Sequence, residues 1–294
     1  MQSNPAYTSP TDSEILEVCI IAAREAGQII RDTCGKIAVE KTKATVQDLV
    51  TVADKNCQDL IEARLKERFP FADFLGEENV AAGAIASAQA LQSFLTPPRD
   101  LLFIVDPIDG TTNFVSGIPF SVVSIGVARR NELCVGVIYE PYRDELFTSM
   151  KGQGAFLNGE KRLSVSPESL LINSVLGFGL GSSSRVATTM IKGLSALEPV
   201  TRGQRALGSA ALHLAYVAAG RLTVFYECDL SSWDISAGSL LVKEAGGRVT
   251  DTRGVPYTLE TRDILASNGK GNIHSQIVDL LVKVGADSAP IPLS

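Results

Sequence analysis

The segment Asp106-Pro107-Ile108-Asp109-Gly110-Thr111-Thr112-Asn113 sets two carboxylates three residues apart, followed by a glycine and two threonine hydroxyls. Hard divalent cations bind carboxylate and carbonyl oxygens at short range. Phosphoryl groups bind backbone N–H groups and hydroxyls. One segment offers both, which is the chemistry of a metal-dependent phosphatase. Pro107 fixes its own φ and biases Asp106 towards extended backbone, so a strand over Leu101–Val105 is expected to end at Asp106. Asp109 can then turn back towards Asp106, with the Ile108 carbonyl on the same side. Asp, Pro and Gly are also ordinary turn residues, so the segment alone reads equally well as a turn with an Asx cap.

Other acidic positions bear on that choice. Gly76-Glu77-Glu78-Asn79 follows the apolar run Phe71–Leu75. The two glutamates are either a solvated loop or a ligand and base. Trp233-Asp234 opens a helix, where Asp234 either complements the helix dipole or supplies a carboxylate from a distant part of the chain. Asp48 and Thr51 precede a second helix and can cap it, and Thr51 with Asp54 resembles a capping box. Glu227 ends a buried run, Leu222–Tyr226, as an exit to water or a substrate ligand. His213 sits among small apolar residues and reads as a packed histidine; His274 has no evident partner. G-x-S-x-G, H-E-x-x-H and Walker A patterns are absent. With two histidines and no paired cysteines, zinc chemistry is disfavoured, and carboxylate-rich ligation suits Mg²⁺ or Mn²⁺.

The elements that must position these groups fall into two textures. Apolar residues recur at helical spacing over Ile15–Ile30 and Thr51–Phe69. From residue 101 the pattern becomes an antiparallel meander: strands at Leu101–Val105, Ser121–Ala128, Leu133–Tyr139 and Glu145–Ser149, then a hairpin around Asn158-Gly159. The second half predicts a strand over Leu171–Phe178, helices over Ser184–Leu194, Leu207–Ala219 and Trp233–Ala245, a buried strand over Leu222–Tyr226, and a last amphipathic helix over Ile273–Val284. This order predicts an α+β fold of layered helices and mostly antiparallel sheets. Residues 1–11 are expected to be a disordered arm, 12–286 one domain of two close-packed halves meeting near 165–170, and 287–294 a tail.

Composition narrows the partners. The 294 residues are 45% hydrophobic with a net charge of −6, which argues against a nucleic-acid or anionic-membrane surface. An anionic substrate then needs a local positive centre, which a bound cation supplies. The five cysteines show no CxxC spacing and read as reduced thiols. The N-terminus has no signal-peptide pattern and no apolar run is long enough for a membrane span, so a cytoplasmic, membrane-free protein is expected.

Three separated stretches closely resemble signature motifs of the inositol monophosphatase family: Gly76-Glu77-Glu78, Asp106 through Phe114, and Trp233-Asp234-Ile235-Ser236-Ala237-Gly238. Gly154 through Gly159 and Glu244-Ala245-Gly246-Gly247 are also similar, and the resemblance runs from about residue 14 to about 285. It implies an αβαβα sandwich, a homodimer and inhibition by lithium. It implies that Glu77, Asp106, the Ile108 carbonyl, Asp109 and Asp234 hold two or three Mg²⁺ ions. Glu77 and Thr111 match the pair that handles the attacking water, and Asp48 the carboxylate that binds the threonine hydroxyl. Gly110 and Thr111 match the phosphate donors, and Glu227 a contact to a substrate hydroxyl. Gly208, Ser209 and Ala210 match the pocket lining, and Lys43 a basic residue on a nearby loop. The implied substrate is a small phosphorylated polyol, myo-inositol 1-phosphate. Related sugar-1-phosphate, histidinol-phosphate and bisphosphate-nucleotide phosphatases, or a non-catalytic binding protein, are the alternatives. Between Glu227 and Trp233 the chain departs from the animal enzymes: Asp229 and Ser231 stand in a segment where those carry a Gly and a His.

Overall fold

A computed structural model of the protein describes residues 9–36, 41–42, 49–181 and 184–287. Helix α1 (Asp12–Thr33) starts at a capping box, in which Thr11 Oγ1 accepts from the Glu14 N–H and Glu14 from the Thr11 N–H. Its Ile15, Cys19, Ala22, Ala26 and Ile30 recur every three or four residues and are fully buried. Two short antiparallel strands, β1 (Lys41–Thr42) and β2 (Leu49–Val50), precede α2 (Val52–Arg68). The Thr51–Asp54 capping box expected for α2 is present, with Asp54 Oδ2 accepting from the Thr51 N–H at 2.8 Å.

β3 (Asp73–Gly76), α3 (Ala84–Leu95) and β4 (Leu102–Asp109) form a crossover that makes β3 and β4 parallel. The expected meander follows after α4 (Thr111–Ser116): β5 (Val122–Arg129), β6 (Glu132–Glu140), β7 (Glu145–Met150), β8 (Gly154–Leu157) and β9 (Lys161–Arg162). Together β3 to β9 make a seven-stranded sheet in chain order. β10 (Val175–Phe178), α5 (Ser184–Leu197), β11 (Gly203–Arg205), α6 (Ala210–Ala218), β12 (Val224–Glu227), α7 (Ser232–Glu244), β13 (Arg248–Asp251), β14 (Ile264–Ser267) and α8 (Ile273–Lys283) complete the chain. Their five strands form a second sheet in the order β11-β10-β12-β14-β13.

Two predicted elements are shorter than expected. Leu171–Asn173 is a 3₁₀ turn, not strand; Leu171 packs against the core while Ile172 is 54% exposed. The helix expected from Leu207 starts at Ala210. Gly208 has a left-handed φ of +75°, and Ser209 caps the helix by accepting from the Leu212 N–H at 3.2 Å. β11, β13 and β14, three or four residues each, carried no sequence prediction.

Alternate side chains of each sheet pack into different layers. Phe103, Val105, Ile125 and Val137 face α1 and α2. Val122, Ile138 and Phe147 face α6 and α7, which also cover Phe225 and Ala266 of the second sheet. Val224, Tyr226 and Leu265 of that sheet face α5 and α8. The result is the αβαβα sandwich. All five cysteines are free.

Candidate active site

The central helix layer and the first sheet meet where the acidic motifs lie. In the parallel β3–β4 pair Gly76 is opposite Val105, so Glu77 leaves its strand beside Asp106. β4 does not stop at Asp106, as expected, but runs on to Asp109. Pro107 offers no N–H to the ladder, and the register shifts between Asp106, opposite Ser124, and Asp109, opposite Val122. The irregularity places both aspartates on one side. Asp106 Oδ1 accepts from the Ile108 N–H at 3.0 Å.

Asp234 arrives from the second half of the chain on the first turn of α7. That helix lies unusually close to the sheet. A Cβ on Gly126 would come within 2.6 Å of Ser236 Cβ, and one on Gly136 within 2.8 Å of the Ala237 carbonyl. Gly126 and Gly136 are direct partners across β5 and β6. The glycine pair therefore forms the seat for α7, and Ser124 Oγ donates to the Trp233 carbonyl at 3.0 Å to fix its start. Oxygens of Asp106, Asp109 and Asp234 lie within 4.8 Å of one another.

This proximity is electrostatically costly. Burial raises the Asp106 carboxyl well above the usual range, helped by the carboxylates of Glu77, Asp109 and Asp234. Asp234 is pushed up to about 8 by burial and by Asp109 and Glu77. Asp109 rises only to about 6, because hydrogen bonds oppose its burial: its Oδ2 accepts from Ser209 Oγ and from the Ala211 N–H, both at 2.6 Å. Glu227, at the end of β12, is raised to about 8 by burial and by Asp109 and Asp234. The three clustered aspartates, Asp106, Asp109 and Asp234, are the kind of donor set a hard divalent cation takes, and such an ion would replace their mutual repulsion with attraction.

The remaining predicted residues surround this cluster. Gly110 adopts a left-handed φ of +95° and its Cα faces the Phe120 carbonyl, which a Cβ would approach to 2.8 Å. It turns the chain into α4, whose first N–H groups have no intrahelical acceptor. The Thr111 hydroxyl reaches the Ile108 carbonyl at 3.0 Å and Asp54 Oδ1 at 3.4 Å. Asp48 and Lys43 lie outside the described residues. Among the described residues, Asp54, read in the sequence only as a cap, is the carboxylate beside Thr111. Glu77, Asp109, Ser209, Ala210, Glu227 and Asp234 line one cleft of about 450 Å³.

Two further residues, Asn113 and His213, hold the cleft wall, a role the sequence reading did not give them. Asn113 Nδ2 donates to the carbonyls of Phe120, at 2.9 Å, and Leu207, at 2.7 Å. The Leu207 N–H donates to His213 Nε2 at 3.0 Å. Leu207 is thus held through both its N–H and its carbonyl, immediately before Gly208 and Ser209. His213 is buried and stacked on Phe225 at 4.9 Å, as a packed histidine. His274, expected to lack partners, bonds Thr250 Oγ1 and Ser267 Oγ, each at 2.8 Å; both partners lie on strands absent from the sequence prediction.

The sequence profile of the inositol monophosphatase family matches residues 11–286. The chain belongs to that family. Inositol monophosphatase 3 of Solanum lycopersicum is 42% identical over 258 residues, 87% of this chain and 92% of the relative. Inositol monophosphatase 1 of Sus scrofa is 39% identical over 261 residues, 87% of this chain and 90% of the relative. The crystal structure of the extragenic suppressor protein suhB from Bartonella henselae superimposes with a TM-score of 0.81 at 36% identity, covering 92% of this chain and 99% of that one. As an inositol monophosphatase family member, the chain is a phosphoric monoester hydrolase, and metal dependence is general to such enzymes. Among the described residues no helix is long and apolar enough to cross a membrane.

Proposed function

We propose that this protein is a Mg²⁺-dependent phosphatase that hydrolyses an inositol monophosphate, myo-inositol 1-phosphate, to inositol and phosphate. The observation that carries the reading is the convergence of Asp106, Asp109 and Asp234 oxygens within 4.8 Å, in a family whose named relatives are inositol monophosphatases. Asp106, Asp109, Asp234, Glu77 and the Ile108 carbonyl would hold two or three Mg²⁺ ions, with Mn²⁺ as a substitute. Bound Mg²⁺ supplies a more acidic water and neutralises charge on the phosphate and the leaving alkoxide.

The protein's own groups do the rest. Glu77 and Thr111 orient the attacking water, and Asp54 accepts the Thr111 hydroxyl hydrogen bond, so that a water proton has a path to a carboxylate. The N–H groups of Gly110 and Thr111 hold phosphate oxygens. Ser209 keeps Asp109 oriented, and Ala210 closes the wall beside it. Glu227 accepts from a hydroxyl of the departing polyol. The family resemblance supports a homodimer, sensitivity to lithium and a cytoplasmic setting, with residues 12–286 acting as a single catalytic domain.

Phosphate release from inositol, sugar, histidinol and nucleotide phosphates, with Mg²⁺, with Mg²⁺ plus Li⁺ and with chelator, tests the reading. Mg²⁺-dependent, Li⁺-suppressed release that is greatest for an inositol monophosphate is expected. Release from none of them would leave a binding protein with the same fold.

A further inference from the structure

The cleft is lined by acidic groups and, among the described residues, by a single cation, Arg262. Its guanidinium is already committed. It meets Asp229 Oδ1 at 3.0 Å through one nitrogen and 3.3 Å through another, and donates to Ser87 Oγ of α3 at 2.8 Å. Both partners of the ion pair are mostly shielded, at 16% and 17% exposure, so the charges cancel in place and are not screened apart by water. Asp263 adds a second carboxylate next to the pair.

The pair is also rigidly placed. Asp229 holds a left-handed φ of +64°, uncommon outside glycine. Its N–H donates to Asp263 Oδ1 at 2.9 Å, and the next N–H, of Leu230, donates to the Arg262 carbonyl at 2.9 Å. Asp229 lies two residues beyond Glu227, on the loop that leads into Asp234. The arginine that lines the cleft is therefore a neutralised one, not a free one.

We propose that Asp229 and Arg262 form a charge filter for the leaving group. With the one guanidinium among its described lining residues neutralised, the cleft accepts an uncharged, hydroxyl-bearing leaving group and rejects one carrying a second phosphate. The filter rests on the phosphatase reading above and adds to it the residue pair that sets which leaving-group charge the cleft accepts. A free arginine would instead attract a second phosphate through bidentate, charge-assisted hydrogen bonds.

The test compares kcat/KM for myo-inositol 1-phosphate and for inositol 1,4-bisphosphate, with saturating Mg²⁺ and the full-length enzyme. Asp229→Asn keeps the side chain's shape and tolerates the left-handed backbone; Asp229→Gly does so without a side chain. Both remove the carboxylate that is ion-paired with the guanidinium. The bisphosphate-to-monophosphate ratio should rise on the order of tenfold in each, mainly through a lower KM for the bisphosphate, as expected for one unit charge in a partly shielded site. Arg262→Gln, which removes the cation, should not raise it. An active wild type whose ratio is unchanged by Asp229→Asn and Asp229→Gly overturns the filter alone. So does an equal rise in Arg262→Gln, which would mean that space and not charge sets the selection. A wild type that releases no phosphate from the monophosphate overturns the phosphatase reading and the filter with it.

Discussion

Asp54 shares its two carboxylate oxygens between a helix cap and a threonine of the candidate site: Oδ2 binds Thr51, at 2.6 Å from the hydroxyl, while Oδ1 lies 3.4 Å from Thr111 Oγ1. The two roles separate by mutation. Thr51→Ala should cost about 1 kcal/mol of stability through the lost cap with turnover largely kept. Asp54→Asn and Thr111→Ala should each lower kcat by about 10²-fold or more. Because the two act as a unit, the double variant should be hardly worse than either single one. Additive losses in steady-state kinetics would show that Asp54 and Thr111 work independently.

The carboxylate cluster trades stability for function. Asp234 has a folded-state value of about 8 against an ordinary 3.8, and Asp109 about 6. A carboxylate raised in the folded state contributes stability that is present below its ordinary value and is lost as pH rises through the folded value. Chelator-treated protein should therefore lose stability towards pH 8, and added Mg²⁺ should raise Tm more at pH 8 than at pH 6.5. Asp234→Asn should melt higher than the wild type in chelator at pH 8, yet lose about 10³-fold or more of its Mg²⁺-dependent turnover. A variant that keeps near-wild-type activity removes Asp234 from the site.

The buried histidines respond in the opposite sense. Burial lowers His213 and His274 to about 4 from an ordinary 6.5. A histidine lowered in this way contributes stability that is complete above about 6.5 and is lost as pH falls towards 4. His274 is remote from the acidic cluster, so His274→Gln isolates its share. The stability gap between wild type and variant, read by urea denaturation, should narrow by up to about 3 kcal/mol between pH 6.5 and 4. A gap that stays constant over that range would exclude the titration.

Gly136 carries a prediction that is geometric. Alanine there places a methyl group 2.8 Å from the Ala237 carbonyl, and neither the strand nor the helix backbone can give way cheaply. Gly136→Ala should destabilise by about 1–3 kcal/mol and, by lifting α7 and Asp234 away from Asp106, should raise the Mg²⁺ concentration needed for half-maximal activity. Gly152→Ala, where a Cβ meets nothing within 4 Å but the backbone φ is positive, should leave the Mg²⁺ requirement alone.

Periodicity and turn chemistry made α1, α2, α7 and the β5–β8 meander legible, because in each the burial pattern repeats over many residues. β11 and β13 were missed because Gly203–Arg205 and Arg248–Asp251 are too polar to mark a strand, and β14 because its apolar run is only Ile264-Leu265-Ala266. The DPID segment was legible as chemistry but not as backbone: the strand continues through Pro107 only because the ladder slips there, a tertiary accommodation. Glu77 and Asp234 could be paired with it only by resemblance, since nothing local shows that residues so far apart converge. Asp54 was read for one of its oxygens; its reach to Thr111 depends on how α2 docks against α4. The Asp229–Arg262 pair had no motif at all, as its partners come from a loop and from the approach to β14.

Asp106 and Asp109 are made early in synthesis, whereas Asp234 comes from the last quarter of the chain and is set only when α7 settles on the Gly126–Gly136 pair. A chain that ends before α7 lacks one of the three clustered carboxylates. With the metal site proposed above, retention of the ion would report completion: the third carboxylate is in place only in the finished sandwich.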